Sequence, residues 1–275
     1  MKILYAASEA QPVAASGGLA DVAGSLPKAL VEEGHEACVV VPLYVNTIKQ
    51  QWRDQMTYVT NFSVPVGWRN QYCGLFTAKI NNVTYYFLDN EYYFKRDFGL
   101  YGYYDDAERY AFFSRAVLEM LKVIDFKPQI INSNDWQCAL IPVYYSIFYR
   151  NDEKLWGIKN VFTIHNIQYQ GRYGMEILED VLGIPKHFAS LMEYDRDINL
   201  MKAAIEVADK VTTVSPTYSK EILDPWFSHG LDRALSDKQY KTCGFLNGID
   251  TDMYNPATDL SLIHISEPTR PISIS

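Results

Sequence analysis

The sequence predicts an α/β fold built on a doubly wound, mostly parallel sheet. Short apolar segments with the length of buried strands alternate with amphipathic segments of helical period along most of the 275 residues. That alternation is typical of parallel strands joined by crossover helices. Two adjacent glycines, Gly17 and Gly18, lie between the first strand and the first helix. Sheets of this class bind a ligand phosphate at that position, although paired glycines also occur in ordinary tight turns.

The predicted strands and helices follow one another in regular order. Parallel strands are expected over residues 2–7, 37–41, 129–132, 160–164, 210–214 and 244–246, and helices near residues 19–32, 105–121, 136–150, 199–208 and 216–223. Pro27 lies within the first helical pattern, where a proline removes one backbone hydrogen bond. We therefore expect a kink or a restart there. Gly34 marks the end of this helix.

Residues 58–88 have a different pattern. Three strand-like segments, 58–68, 71–80 and 83–88, follow one another closely, and Asn81-Asn82 has the composition of a tight hairpin turn. The sequence therefore predicts an antiparallel hairpin region inserted into the parallel domain.

Composition excludes several classes of protein. The net charge of −8, without any cluster of lysine and arginine, argues against binding to nucleic acid or to an anionic membrane. The apolar N-terminal segment is interrupted by Glu9, so it is too short for a signal peptide or a membrane span. The four cysteines lie far apart without a CxxC pair, which favours reduced, packed thiols in a cytoplasmic protein.

Small or polar residues follow five of the predicted parallel strands. They are Ser8, Glu9, Asn134, Asp135, Trp136, His165, Asn166, Ser215, Asn247 and Gly248. Because the carboxyl ends of parallel strands meet at one rim, these residues are expected to line a ligand-binding crevice. Each could instead be an ordinary helix cap, and Asp135 and Ser215 fit that alternative best.

His165 ends an apolar strand and is expected to face the glycine turn across this rim. The alternative is a histidine that is hydrogen-bonded at the edge of the core. The sequence places no second histidine and no carboxylate pair at metal-ligand spacing, so no metal is expected. Dinucleotide-binding, P-loop and α/β-hydrolase proteins are disfavoured, because GxGxxG, GxxxxGK[ST] and GxSxG are missing.

Aromatic residues are concentrated between Tyr85 and Phe113, where thirteen occur. Some must pack in the core, but several flank charged residues or glycines. Tyrosines in such a setting suit stacking against carbohydrate, and an ordinary protein interface is the competing interpretation.

Six segments together resemble the N-terminal half of the bacterial glycogen synthase and starch synthase family. They are MKILYAASEAQP with SGGLADVAGSLPKAL, LYGYYDDAERYAFFSRA, NDWQ, VFTIHNIQYQG, VTTVSPTYSKEI and FLNGIDTDMYNP, in the family's order between residues 1 and 259. The resemblance implies a GT-B glycosyltransferase with two Rossmann-like domains. Such an enzyme transfers glucose with retention from ADP-glucose to the non-reducing end of an α-1,4-glucan, without a metal or other cofactor.

The resemblance also implies roles for individual residues. His165 is expected to contact the transferred glucose and support the charge that develops at its reacting carbon. Asp135 is expected to hydrogen-bond a sugar hydroxyl beside that carbon. The implied donor-binding residues are Ser16, Gly17, Gly18, Tyr101, Asn166 and Asn247, and the implied acceptor-side residues are Glu9, Asp21 and Trp136.

The chain departs from the family's pattern in its motifs. Ala15 stands where the family often has a lysine that meets the donor diphosphate. Asn134 and Gln137 replace the two histidines of the family's His-Asp-Trp-His. Residues 195–197 and 250–252 match a short acidic motif by which some glycosyltransferases hold a metal, but both lie in polar turns, where charged residues are usually solvated.

Domain boundaries follow from the same resemblance. Residues 1–259 are expected to form the N-terminal glycosyltransferase domain, and residues 260–275 a non-native tail. The family's C-terminal nucleotide-binding domain is absent from this sequence, so the chain by itself is expected to be inactive. The alternatives are an α-glucan-binding domain without catalysis and a glycosyltransferase similar to sucrose synthase.

Overall fold

The structure is a computed structural model that describes residues 1–251, 254 and 255. The strands in this part of the chain are β1 (Lys2–Ala6), β2 (Glu36–Pro42), β3 (Thr57–Val66), β4 (Arg69–Ile80), β5 (Val83–Asp89), β6 (Ile130–Asn134), β7 (Lys159–Ile164), β8 (Arg172–Tyr173), β9 (Glu193–Tyr194), β10 (Asp197–Asn199), β11 (Lys210–Thr213) and β12 (Thr242–Gly244). Nine of these described strands form one sheet in the order β12-β11-β7-β6-β1-β2-β5-β4-β3, and β8, β10 and β9 form a small antiparallel sheet.

Helices connect these strands and cover the main sheet. They are α1 (Gly18–Glu32), α2 (Gln50–Arg53), α3 (Glu91–Phe94), α4 (Asp106–Met120), α5 (Asp135–Cys138), α6 (Leu140–Tyr144), α7 (Ile177–Asp180), α8 (Ala189–Met192), α9 (Leu200–Val207), α10 (Tyr218–Glu221) and α11 (Asp232–Asp237). A π-helical turn spans Tyr145–Tyr149, and 3-10 turns span Lys186–Phe188 and Gln239–Lys241. Within the described residues, no helix combines the length and apolar character that a membrane span requires.

The predicted doubly wound sheet is confirmed. β1 pairs in parallel with β2 on one side and with β6 on the other. The chain builds outward from β1 through β2 and then returns to add β6, β7, β11 and β12 on the opposite side. The order of strands therefore reverses between β1 and β6. In open α/β sheets the ligand crevice lies at this reversal, outside the carboxyl ends of the strands.

The inserted antiparallel region is also confirmed. β4 pairs antiparallel with β3 on one side and with β5 on the other, and β5 continues the main sheet by pairing in parallel with β2. Asn81 and Asn82 both have positive φ, 49° and 64°. Two successive left-handed residues are what a two-residue hairpin turn requires, and asparagine adopts that conformation more readily than most residues.

The first helix differs from the expectation at Pro27. α1 continues through this proline without a break until Glu32. Leu19, Ala23 and Pro27 lie on one buried face of the helix. Burial of that apolar face outweighs the single hydrogen bond that the proline ring removes.

The predicted helix over residues 136–150 is instead divided into α5, α6 and the π-helical turn. Pro142 accounts for the division, because it has no N–H to donate to the carbonyl of Cys138, where α5 ends. The last strand lies two residues earlier than expected. Thr242 pairs with Val211, and a Cβ on Gly244 would come within 2.0 Å of the Ser215 carbonyl oxygen, so this glycine permits a close backbone approach.

After their first residues, the central strands β1 and β2 are almost entirely apolar because helices cover both faces of the sheet, and β6 carries its polar residues at its carboxyl end. Leu4, Val39, Val40 and Ile131 are fully buried in one continuous core. All-parallel strands buried on both faces have this character, whereas a strand with one face in water alternates apolar and polar residues. Polar side chains are consequently displaced to the strand ends, where the candidate site lies.

Candidate functional site

A cavity of about 810 Å³ opens at the carboxyl ends of β1, β6 and β7, beside the first turn of α1. Ten of the eleven residues to which a catalytic, donor-binding or acceptor-side role was assigned line this rim cavity. They are Glu9, Ser16, Gly17, Gly18, Tyr101, Asp135, Trp136, His165, Asn166 and Asn247. These residues come from distant stretches of chain, and the parallel sheet brings them together. Their individual roles stay predictions.

Gly17 and Gly18 begin α1 at the edge of the rim cavity. Gly17 occupies the N-cap position in extended conformation, and no side chain caps the helix. A Cβ on Gly17 would meet only Glu9 Oε1, at 3.7 Å, and a Cβ on Gly18 would meet nothing within 4 Å. The fold therefore does not require glycine at either position, and the space a side chain would fill belongs to the cavity. N–H groups at an uncapped helix N-terminus can donate to an anion in that space.

Glu9 is a buried carboxyl group next to the glycine turn, with 3% of its surface exposed. Its Oε2 accepts hydrogen bonds from the Ser16 backbone N–H and from Ser16 Oγ, the latter at 2.7 Å. Burial raises the pKa of Glu9, although the bonds from Ser16 act in the opposite direction. Ser16 therefore ties the loop before α1 to the end of β1. Ala15 is exposed on this loop and brings no positive charge to it.

Asp135 follows β6 and holds a left-handed backbone conformation with φ of 56°. Its Oδ1 accepts the backbone N–H of His165 at 2.8 Å and that of Asn166 at 3.3 Å. Burial raises the pKa of Asp135 to about 7, against the effect of these two hydrogen bonds. The second oxygen, Oδ2, has no hydrogen-bond partner within the described residues. It can therefore accept a hydrogen bond from a ligand in the rim cavity.

His165 follows β7 and is linked to β6 by its ring. Nε2 lies 2.9 Å from Oδ1 of Asn134, a residue with no exposed surface. Burial lowers the pKa of His165 to about 4, so the imidazole is neutral at physiological pH. The side chain lines the rim cavity, in agreement with the expected orientation toward the glycine turn.

Tyr101 is held in the cavity wall by the loop between α3 and α4. Its hydroxyl lies 2.7 Å from Ser8 Oγ, and burial raises its pKa well above the ordinary value. Arg109, fully buried, organises this loop: Nη1 donates to the Leu100 carbonyl at 3.1 Å and to Asp106 Oδ1 at 2.5 Å. Nε, which donates to the Tyr93 carbonyl at 2.7 Å, and Nη1 together fix the loop that carries Tyr101, whereas Nη2 has no hydrogen-bond partner in the described structure.

Asp21 is the one of these eleven residues that lies outside the rim cavity. It lines a neighbouring cavity of about 660 Å³ farther along α1, together with Lys28 and Asp250. Asp21 lies about one helical turn beyond Gly18 on the same side of α1, so the separation is along the helix axis. Gly18 and Asn247 line both cavities, so the two adjoin. Of the other strand-end residues expected at the crevice, Ser8, Asn134 and Ser215 do not line the rim cavity, and Gly248 lines the neighbouring one.

The aromatic residues between Tyr85 and Phe113 serve mainly the core. Seven of them are buried: Tyr85, Phe87, Tyr93, Phe94, Tyr110, Phe112 and Phe113. Of the thirteen, Tyr101 alone lines the rim cavity as described. Only Tyr101 of this stretch is therefore placed where it could stack against a sugar in the rim cavity, among the described residues. Trp136, which comes from a different segment, also lines the rim cavity. Its ring packs edge to face with that of Tyr110, and their ring centroids lie 5.2 Å apart.

Six residues that were not proposed as site residues also line the rim cavity: Leu19, Gly102, Asp106, Gln137, Tyr169 and Val214. Gln137 has only 8% of its surface exposed, and its Oε1 has no hydrogen-bond partner in the described structure. Tyr169 is largely exposed at the mouth of the cavity. The sequence marked Gln137 only as a departure from the family's pattern. The position of Gln137 beside Trp136 could have indicated a place in the site, since both residues follow β6.

The two acidic segments do not join this site. Asp195 and Arg196 form the tip of the β9–β10 hairpin with positive φ, and Asp197 pairs with Arg172 at 3.1 Å. Asp250 lies 3.3 Å from Lys28, and Asp252 falls outside the described residues, as does the predicted tail over residues 260–275. Across the described chain, no group of three or more histidine, cysteine, aspartate or glutamate side chains is arranged to hold a metal ion.

Comparison with known proteins identifies relatives over nearly the whole chain. Residues 2–237 match the model of the starch synthase catalytic domain family. The chain is 47% identical to the glycogen synthase of Exiguobacterium sibiricum over 267 residues, which cover 96% of this chain and 55% of that protein. It is 46% identical to the glycogen synthase of Lactobacillus acidophilus over 261 residues, 94% of this chain and 54% of that protein. The chain therefore spans about half the length of these curated relatives.

A solved structure shows the same fold. The catalytic domain of starch synthase IV from Arabidopsis thaliana, bound to ADP and acarbose, superposes with a TM-score of 0.84 at 31% identity. The match covers 94% of this chain and 54% of that one. The architecture described above is thus that of one half of the solved domain.

Proposed function

Because the chain belongs to the starch synthase catalytic domain family, we propose that it forms the acceptor-side half of an ADP-glucose-dependent α-1,4-glucan glucosyltransferase. The observation that carries the proposal is the rim cavity, which gathers a free helix N-terminus, two buried carboxyl groups and a neutral histidine. A nucleotide sugar needs a site for its diphosphate and a site for its glucose. The cavity has groups suited to both.

The glycine turn is assigned to the diphosphate. Gly17 and Gly18 leave room for a phosphate to approach the backbone, and the start of α1 offers N–H donors with the positive end of the helix dipole. Ala15 adds no charge, so these backbone contacts carry the phosphate interaction on this side. The Arabidopsis relative was solved with ADP and acarbose, a nucleotide and a carbohydrate ligand, which supports a cavity that takes both chemistries.

The strand ends of β6 and β7 are assigned to the transferred glucose. Asp135 Oδ2 accepts a hydrogen bond from a sugar hydroxyl, while Oδ1 stays bound to the backbone of His165. The neutral ring of His165 presents no positive charge to a reacting carbon that is itself becoming positive. Trp136 and Tyr101 supply apolar faces against which a sugar ring can lie.

The reaction assigned to this site balances without a protein base. The bond between the glucose anomeric carbon and the phosphate oxygen breaks, and a bond forms from that carbon to the 4-hydroxyl oxygen of the acceptor. The hydroxyl proton passes to the departing phosphate oxygen. The chain's contribution is then to position the reactants and to provide electrostatic stabilisation, which are large effects in group transfer.

A transfer assay tests the proposal. This chain up to Asp250, joined to the Exiguobacterium sibiricum glycogen synthase from the residue that follows the counterpart of Asp250, makes a fusion protein of the relatives' length. We expect it to transfer glucose from ADP-glucose to maltooligosaccharides. For the 275-residue chain alone we expect no measurable transfer and ADP-glucose binding weaker than about 1 mM, because each charge-assisted contact to a diphosphate contributes about 1.5–3 kcal/mol.

The outcomes separate two functions. Glucan binding by the fusion protein without transfer supports the alternative, an α-glucan-binding domain without catalysis. Failure of the fusion protein to bind any α-glucan at millimolar concentration contradicts both functions. Micromolar binding of ADP-glucose to the chain alone would mean that the donor site is assigned to the wrong half.

A further inference from the structure

The amide of Asn134 has one orientation that its surroundings allow. Its Nδ2 donates to the carbonyl oxygen of Ala6 at 2.9 Å and to that of Asn132 at 3.3 Å. The flipped orientation would place Oδ1 against two carbonyl oxygens and leave no donor between them. Because the residue has no exposed surface, water cannot relieve that repulsion. Oδ1 is therefore the atom that faces His165.

An amide oxygen is only an acceptor, so the imidazole nitrogen 2.9 Å away must be the donor. Nε2 of His165 therefore carries the proton. A neutral imidazole has one proton, which leaves Nδ1 with a free lone pair. Nδ1 has no hydrogen-bond partner in the part of the chain that the structure describes, and the side chain lines the rim cavity.

We propose that Asn134 is a positioning residue that fixes His165 as the Nε2–H tautomer, so that Nδ1 acts as a hydrogen-bond acceptor toward the substrate. The role in transfer rests on the proposed function, whereas the tautomer is a property of the chain itself. A bare Nδ1 accepts a hydrogen bond from a sugar hydroxyl and places a partial negative charge near the reacting carbon. The opposite tautomer would present an N–H, which repels a carbon that is becoming positive.

The electrostatic surroundings agree with a neutral ring. The carboxyl groups that share the cavity with His165 are Glu9, Asp106 and Asp135. Asp135 is bound to the backbone of His165, and Asp106 to Arg109 and the loop before α4, so these hydrogen bonds do not involve the His165 ring. Glu9 is bound to Ser16. Burial therefore dominates, and it lowers the pKa of His165.

Nuclear magnetic resonance of the chain labelled with ¹⁵N-histidine tests the tautomer directly. The chain has five histidines, and His165→Gln assigns the signals of this one. We expect a protonated Nε2 and a bare Nδ1 from about pH 6 to about pH 8, and an Nε2–H proton that exchanges slowly with water. A protonated Nδ1, or a ring protonated at both nitrogens near pH 7, overturns the proposal. The spectrum of the unsubstituted chain is enough for this decision.

Variants at position 134 test the role of the amide. Asn134→Ala should speed exchange of the Nε2–H proton by about tenfold or more, because its hydrogen-bond partner is lost. Asn134→Asp should keep Nε2 protonated and raise the pKa of His165 by more than about one unit, because a carboxylate favours the imidazolium. An unchanged His165 spectrum in a folded Asn134→Ala variant would contradict the positioning role of Asn134.

Thr163→Val is the matched control. It removes the contacts of Thr163 Oγ1 on β7 with Asn132 on β6 and with Thr212 on β11, but it leaves the Asn134–His165 pair intact. The His165 spectrum should not change. A change equal to that of Asn134→Ala would show a general disturbance of the rim and overturn the specific role.

Kinetics of the fusion protein test the consequence for transfer. Asn134→Ala should lower kcat by about tenfold or more, with the KM for glucan within about threefold of the parent value. An unchanged kcat overturns the positioning role. If the parent fusion protein transfers no glucose at all, the proposed function has failed, and the resonance experiment still decides the tautomer.

Discussion

Asp135 Oδ1 lies 2.8 Å from the backbone nitrogen of His165, so the residue after β6 is bound to the residue after β7. The same oxygen reaches the backbone of Asn166. To do this Asp135 holds a positive φ, a conformation of higher energy for a residue other than glycine. The contact fixes two adjacent strand ends at the reversal of strand order, where the rim cavity lies.

The first prediction concerns Asp135 and pH. The folded-state pKa of about 7 lies above the unfolded value near 3.9, so the folded protein binds the proton more tightly. The stabilisation that the folded state gains from the protonated Asp135 carboxyl group is full at pH below the unfolded pKa. It is lost as pH rises through about 7. Asp135→Asn keeps an acceptor for both N–H groups but cannot ionise. It should therefore raise the free energy of unfolding at pH 8, by at most about 4 kcal/mol, with little gain at pH 4.

Thermal or urea unfolding at several pH values measures this effect. Asp135→Ala is the matched variant, because it removes the charge and the acceptor together. It should be less stable than Asp135→Asn at every pH. A gain for Asp135→Asn that is as large at pH 4 as at pH 8 would exclude ionisation as its cause.

The second prediction separates glycines that serve a ligand from glycines that serve the fold. Gly17→Ala and Gly18→Ala should change the free energy of unfolding by less than about 1 kcal/mol, because their Cβ atoms meet no close neighbour. Both should weaken ADP binding to the fusion protein by about tenfold or more, because the methyl group enters the space assigned to the diphosphate. Calorimetry with ADP and unfolding curves measure the two effects.

Gly24→Ala is the control for this pair. A Cβ there would come within 2.9 Å of the backbone oxygen of Gln11, so the substitution should destabilise the fold by about 1–3 kcal/mol. Undiminished ADP binding by both Gly17→Ala and Gly18→Ala would remove the glycine turn from the donor site.

The third prediction concerns His165. In the fusion protein, His165→Ala should lower the rate of transfer by about a hundredfold or more, while glucan binding weakens far less. Its contribution is electrostatic and greatest when charge develops on the sugar, and such contacts are typically worth about 2.7–4 kcal/mol. Initial rates with ADP-glucose and a separate glucan titration measure the two effects. A rate within about threefold of the parent would reduce His165 to a packing residue.

The fourth prediction concerns Gln137 and its free Oε1. Gln137→Met keeps the length of the side chain and removes a buried oxygen that has no partner in the described structure. The free energy of unfolding should stay the same or rise, because an unsatisfied buried polar group costs about 1–3 kcal/mol. Glucan binding to the fusion protein should weaken if a sugar hydroxyl normally donates to this oxygen.

Gln170→Met provides the contrast. Gln170 is equally buried, but its Nε2 donates to the carbonyls of Ile167 and His229, and its Oε1 accepts from Asn199 at 2.7 Å. This substitution should therefore destabilise the fold clearly. Equal losses of stability in the two methionine variants would show that Gln137 is also satisfied within the chain.

The sequence by itself determined the class of fold, the antiparallel region and the composition of the rim. Alternating strand and helix periods predict parallel strands, and Asn81-Asn82 predicts the turn, because both signals are local properties of the chain. Polar residues that follow apolar strands must meet at one rim once those strands are parallel. For that reason the strand-end residues Glu9, Asp135, Trp136, His165, Asn166 and Asn247 could be placed at one cavity without knowledge of any contact, whereas Ser16 and Tyr101 were implied by the family resemblance.

The tertiary structure decided which groups touch and which are buried. Asn134 and His165 lie thirty-one residues apart in the chain, and their pairing depends on the register between β6 and β7. Asp21 lines the neighbouring cavity and not the rim cavity, and packing leaves Gln137 with a free oxygen. The pKa of Asp135 and that of His165 are shifted by burial, which depends on neighbours from every surrounding segment. Local sequence sets periodicity and turns, but it does not set the distances across a sheet on which hydrogen bonds and desolvation depend.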